Sequence, residues 1–230
     1  MQTPTRPGPH LTLALLTVLA IGAILWSLTT APVNAEQQLR AAAGNTKGAA
    51  SFVSTFTYAL ETTSGSQRSE TVRYVYQAPD RVEEIGVNSS GQRVTLLVIG
   101  PERFVQQGNG RWVKLRAPLG ASYGAEAANG LQVPIDQVST ATNVTRKGDV
   151  FRFTPGDEAK FLLTILGVQP AQLTPGSVEF VAQVQNEFVT TLEVTAATST
   201  ERVGAKLVYS QIDHAPALQA PPPSQVTVQG

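Results

Sequence analysis

The chain has 230 residues, 42% of them hydrophobic and 15% charged, with 17 basic and 17 acidic side chains and no formal net charge. That apolar fraction supplies a real core and excludes a disordered chain, and the length suits one domain with additions. The absence of Cys excludes disulfides, thiolate metal sites, a cysteine nucleophile and a lipid-modified cysteine; two histidines, His10 and His214, cannot build a histidine-rich metal site. The balanced charge lacks the basic excess of a nucleic-acid binder, so no nucleic-acid partner is expected.

The first element is apolar. Leu11 to Leu28 is an uncharged stretch of 18 residues, preceded by Arg6 and followed by Pro32 and then Val33-Asn34-Ala35. Small residues three and one positions before Glu36 suit a signal-peptidase site, which makes residues 1–35 a signal peptide. Left uncleaved, residues 11–28 would anchor the chain in a membrane, since about 20 apolar residues span a bilayer. Under either reading residues 36–230 lie outside the cytoplasm, because the positive charge precedes the apolar run.

Glu36 to Gly48 predicts a short helix, with Leu39 and Ala43 on one face and Gly44-Asn45 ending it. Alternating patterns follow. Phe52, Phe56, Tyr58 and Leu60 share one face of a strand; Val72, Tyr74 and Tyr76 share a face of the next, which Pro79-Asp80 ends. Arg81–Val87 and Val94–Ile99 flank a hairpin signal at Asn88-Ser89-Ser90-Gly91. Val94–Ile99, with its Leu96-Leu97-Val98, is apolar on both faces, so it predicts a central strand covered on both sides. Arg103–Gln107 and Arg111–Leu115 make another hairpin. Between Arg116 and Thr145, Gly120, Gly124 and Gly130 punctuate Ala-rich sequence, with a short helix expected at Ile135–Ala141. Val150–Phe153 is a strand, and Asp157 to Leu166 a helix stopped by Gly167. Ser177–Gln185, Glu187–Ala197 and Val203–Ile212 are strands, with Phe180, Leu192, Val194 and Leu207 among their apolar positions. His214 to Gly230 holds four prolines and no charge and predicts an extended or loose tail.

The resulting fold class is α+β: about nine antiparallel strands in a strongly curved sheet, with short helices packed on its concave face. The division is residues 1–35 as signal or anchor, 36–214 as the domain, and 215–230 as the Pro-rich tail. The one-faced strands carry more apolar surface than short helices can cover, which points to a hollow. Its expected lining is Phe56, Tyr58, Leu60, Val72, Tyr74, Tyr76, Leu96, Val98, Phe180, Leu192, Val194 and Leu207.

Catalytic signals are weak. Gly120-Ala121-Ser122-Tyr123-Gly124 matches G-x-S-x-G, and Asp157 and His214 follow in hydrolase order. A nucleophile elbow needs an apolar strand before it and a helix after it. Here Lys114-Leu115-Arg116-Ala117-Pro118 precedes, so a Gly-rich surface loop is expected and no catalytic residue is assigned. Glu83 and Glu84 are adjacent on a strand and point to opposite faces, so they cannot share a substrate. No metal-loop spacing or cofactor motif is present, and none of these groups is expected.

Three sets of motifs carry a resemblance. Ser51–Leu60 followed by Val72–Arg81 resembles a strand pair ending in an A-P-D-R corner. Leu96–Ile99, Arg103-Phe104-Val105 and Gly110-Arg111-Trp112-Val113 resemble the hairpin that follows it. Lys206–Ile212 with Ala220-Pro221-Pro222 resembles the last strand and its exit. Over roughly residues 45–225 the chain resembles exported lipid carriers of the LolA/LppX/LprG type. The resemblance implies a half-barrel plugged by helices, with a lipid or acyl chain held in its apolar hollow. It departs from many relatives in lacking a lipobox cysteine. A second role open to this fold is a protein-interaction or stress-sensing module that contacts a membrane-protein partner, with the hollow filled by side chains.

Overall fold

The computed structural model describes residues 34–88, 90–116 and 122–228. The apolar stretch 11–28 lies outside the described residues, and among those described no helix is long and apolar enough to cross a membrane. The domain from Ala35 onward opens with helix α1 (Ala35–Gly48). Strands β1 (Ser51–Thr62), β2 (Gln67–Gln77), β3 (Arg81–Val87), β4 (Arg93–Ile99), β5 (Glu102–Gln107) and β6 (Trp112–Leu115) follow. Helix α2 (Tyr123–Ser139), β7 (Thr142–Lys147), β8 (Val150–Thr154) and α3 (Glu158–Leu166) come next. The chain ends with β9 (Glu179–Gln185), β10 (Phe188–Ala197), β11 (Glu201–Ser210) and β12 (Val226–Val228).

All strands form one sheet in the order β12-β6-β5-β4-β3-β2-β1-β11-β10-β9-β8-β7. Every pairing is antiparallel except β12 on β6. One core joins apolar side chains of β1–β3 and β8–β11 with all three helices. For strands so far apart in the order to share that core, the sheet must curl around the helices. Among the described residues its two end strands, β12 and β7, have no further strand beside them, so the sheet does not close into a barrel. The α+β half-barrel is thus present, with twelve strands among the described residues where the sequence pattern marks about nine.

The alternation in the strands sets the two faces. Phe52, Ser54 and Phe56 of β1, Tyr74 and Tyr76 of β2, and Leu207 and Tyr209 of β11 point inward. Val53, Val75, Leu97 and Phe104 point outward into a second, smaller core. That outer core is closed by the Pro-rich segment, which is extended and docked rather than loose. Leu218 is buried there; its N–H donates to Gln77 Oε1 at 3.1 Å, and its carbonyl accepts from Arg81 at 2.8 Å. Arg111 donates to the Ser224 carbonyl, and Val226 pairs opposite Trp112. Strand β4 is therefore covered on both sides, Leu97 under Leu218 and its other face toward α2.

The helices fill the inner face unevenly. In α1, Leu39, Ala42, Ala43 and Thr46 are buried, and the Thr46 hydroxyl accepts from the Val189 N–H of β10 at 2.9 Å. Lys47 pairs with Asp136 of α2 at 2.6 Å. Helix α2 is 17 residues long and begins well before the helix expected at Ile135–Ala141. Gly124, Gly130 and Pro134 lower its intrinsic propensity. Burial of Ala128, Ile135 and Val138 against the sheet and α1 outweighs that.

Tyr209 stands edge-on to Phe52, ring centroids 5.5 Å apart, and its buried hydroxyl has no hydrogen-bond partner among the described residues. Burial alone pushes that hydroxyl far above the ordinary tyrosine range. A buried polar group without a partner costs folding free energy that an apolar isostere does not. Tyr209→Phe is therefore expected to leave stability unchanged or raise it by up to about 1 kcal/mol. Urea unfolding reads this directly; a clear loss of stability would mean that the hydroxyl holds a partner after all.

Candidate functional site

Between the sheet and α2 lies a cavity of about 270 Å³. Its sheet wall is Ser54 and Phe56 of β1, Tyr74 of β2, Val82 and Glu84 of β3, Leu96 and Val98 of β4, and Leu207 of β11. Its helical wall is Ala127, Gly130, Leu131 and Pro134 of α2, with Ile165 of α3. Small residues at 127 and 130 leave the space that a larger side chain on that face would fill.

Of the residues expected from sequence, Phe56, Tyr74, Leu96, Val98 and Leu207 line this cavity. The others do not. Phe180, Leu192, Val194 and Tyr76 are buried in the packed core. Tyr58 and Leu60 pack against the edge of that core, and Val72 lies on an open groove beyond the cavity. The division has a physical cause. Helices α1 and α3 fill the half of the concave face over β8–β10, where Phe161 sits edge-on to Phe180 at 5.4 Å. Leu207 and Leu192 are register partners, so the boundary between open and filled halves runs between β11 and β10.

The sequence pattern also misses lining residues. Val82, Ala127, Leu131, Pro134 and Ile165 fall on elements whose orientation depends on the packing of α2. Ser54 shares the face of Phe52 and Phe56 but is polar, and Glu84, as a charged residue on a strand, reads as solvated. The two adjacent glutamates do point to opposite faces: Glu83 lies outward, 3.9 Å from Arg73, and Glu84 lies inward on the cavity.

The strand register places Ser54 opposite Tyr74, Tyr74 opposite Glu84, and Glu84 opposite Leu96. Ser54, Tyr74 and Glu84 therefore form a polar row across three strands in an otherwise apolar lining. Burial raises the Glu84 carboxyl above the usual carboxylate range, and Arg103 pulls against it. Burial pushes the Tyr74 hydroxyl up to about 12, with the Glu84 charge adding to the shift.

The G-x-S-x-G motif has a different place from the surface loop expected. Gly120 and Ala121 lie outside the described residues. Ser122 directly precedes α2, so the helix half of a nucleophile elbow is present. Among the described residues no strand leads directly into it: β6 ends at Leu115, eight residues before the helix starts. Gly124 is buried where α2 meets the sheet, its N–H donating to the Gly100 carbonyl at 2.9 Å. A Cβ at 124 would lie 2.2 Å from the Asp80 carbonyl oxygen, so the glycine serves close packing. Among the described residues no cluster of His, Asp and Glu is placed to hold a metal ion.

A scan against protein-family models gives no match. No curated protein matches the sequence. Solved structures do. The lipoprotein LppX of Mycobacterium tuberculosis is 16% identical, with a TM-score of 0.44 over 77% of this chain and 94% of its own. LprF of Mycobacterium bovis is 16% identical, with a TM-score of 0.49 over 82% of this chain and 96% of its own. A LolA superfamily protein of Nitrosomonas europaea is 12% identical, with a TM-score of 0.33 over 81% and 96% of the two chains. The likeness to these three solved structures is one of fold.

Proposed function

We propose that this chain is an extracytoplasmic carrier that holds one acyl chain of a lipid in the cavity under α2, by burial and with no covalent step. The observation that supports the reading is the cavity itself: an apolar hollow beside a densely packed core, walled by Phe56, Leu96, Val98, Leu131 and Leu207. Its volume is at the lower edge of the roughly 300–1,000 Å³ of small-molecule sites, which suits one chain rather than several. About ten buried methylenes gain roughly 8 kcal/mol gross at ~0.8 kcal/mol each. Ordering and association costs of several kcal/mol leave micromolar affinity or weaker. Export rests on the apolar stretch 11–28 and the small residues before Glu36.

Organic extraction of the purified chain followed by mass spectrometry is expected to release lipid. Leu131→Trp places a large ring in the hollow. Displacing about two methylenes of a bound chain costs about tenfold in affinity for a fluorescent acyl probe. The melting temperature should stay within a few degrees, because the added ring fills existing space. A chain that releases no lipid and binds no probe would instead favour the interaction role.

A further inference from the structure

The polar row gives the cavity a chemical preference. Among the described residues Glu84 is the one charged side chain in the lining, and it is half-buried. Tyr74 lies opposite it in register and Ser54 lies beyond Tyr74 on the next strand, so the carboxylate shares its cavity wall with two hydroxyl-bearing side chains. Glu84 and Leu96 also line a broader groove outside the cavity, next to Arg68 and Glu70, which pair with each other. Glu84 thus stands where the cavity under α2 adjoins that groove, the position that the polar end of a seated amphiphile would take.

A carboxylate acts as an acceptor only. It opposes a second carboxylate in a partly desolvated site and pairs well with an O–H or N–H donor. Arg103 is the cation whose charge reaches Glu84, but it is not part of the lining, and its guanidinium lies over the Tyr123 ring, 5.6 Å from the centroid.

Building on the carrier reading, we propose that the occupant carries a hydrogen-bond donor, a hydroxyl or an ammonium group, at its polar end, seated on the Ser54–Tyr74–Glu84 row, and that the cavity discriminates against free fatty-acid carboxylates. The two donor types share this chemistry and separate by experiment.

Isothermal titration of the delipidated full chain with 1-monolauroylglycerol, dodecylamine and laurate tests it, since the three share one chain length and differ at the polar end. At least one donor-bearing amphiphile is expected to bind about tenfold or more tighter than laurate, because a hydrogen bond to a charged group is worth roughly 1.5–3 kcal/mol. Glu84→Gln keeps the size and removes the charge, so laurate should gain about tenfold. A matching loss for dodecylamine in that variant assigns the ammonium; retained monolauroylglycerol binding with weak dodecylamine binding in the wild type assigns the hydroxyl. Laurate binding as tightly as both donors in the wild type overturns the proposal and leaves the carrier reading intact, and this comparison does not depend on the variant folding. An unchanged ratio in a folded Glu84→Gln overturns it too. Binding of none of the three overturns the carrier reading, and the proposal falls with it.

Discussion

Leu192→Asp is expected to destabilise the fold severely. Leu192 is 1% exposed on β10, with Ala182 of β9 and Leu207 of β11 as its register partners. An aspartate there would bury a carboxylate among apolar side chains with no cation to meet it. Burying an unpaired charge belongs to the few mechanisms that exceed about 4 kcal/mol. For a domain of this size each kcal/mol moves the melting temperature by about 2–4 °C, so a drop of roughly 8–16 °C or outright loss of soluble protein is the expected result. Circular dichroism melting of the variant beside wild type is the measurement. A variant that melts like wild type but no longer binds an acyl probe would place Leu192 on the cavity and contradict the packing described above.

Gly124→Ala is the second large effect. The new methyl would meet the Asp80 carbonyl oxygen at 2.2 Å and the Gly100 carbonyl oxygen at 2.8 Å. Both are backbone atoms at the ends of β-strand turns, so neither can swing aside. The start of α2 would have to lift from the sheet, breaking the Gly124 N–H bond to Gly100. A cost of about 3 kcal/mol or more is expected, a fall of roughly 6–12 °C. Because α2 carries Ala127, Gly130, Leu131 and Pro134, the same shift should loosen the cavity wall and weaken acyl binding. An unchanged melting temperature would mean that α2 does not press on this turn. Gly130→Ala is the useful comparison, because a Cβ at 130 meets nothing within 4 Å; there the better helix propensity of alanine should raise stability slightly.

These two sites show how far sequence reading goes. At Leu192 the period-two pattern of β10 correctly marks an inward side chain, yet the same pattern marks Phe56 and Leu207, which line open space. Periodicity is local, set by the pleat, and it says which side chains share a face. Whether another element covers that face depends on contacts between residues far apart in the chain. At Gly124 the residue belongs to a motif that suggests a reactive serine, and its role appears only when the turn around Asp80 and Gly100 is brought against it.

The amino-acid sequence by itself determined the α+β class, the alternation of β1, β2 and β9–β11, the two-sided apolar character of β4, helices α1 and α3, and the exclusion of cysteine chemistry. Each of these follows from side-chain type and short-range spacing, which need no partner to be read. Only the tertiary structure decided the rest. Helix α2 spans 17 residues despite two glycines and a proline, because burial against the sheet outweighs weak propensity. Edge strands β7 and β12 form by pairing with β8 and β6, and the Pro-rich segment docks because the outer face of β1–β5 presents Val53, Val75, Leu97 and Phe104 for Leu218 to cover. Glu84 shows the limit most clearly: a charged residue on a strand reads as solvated, and the curl of the sheet together with the placement of α2 turns it into the polar end of an apolar cavity.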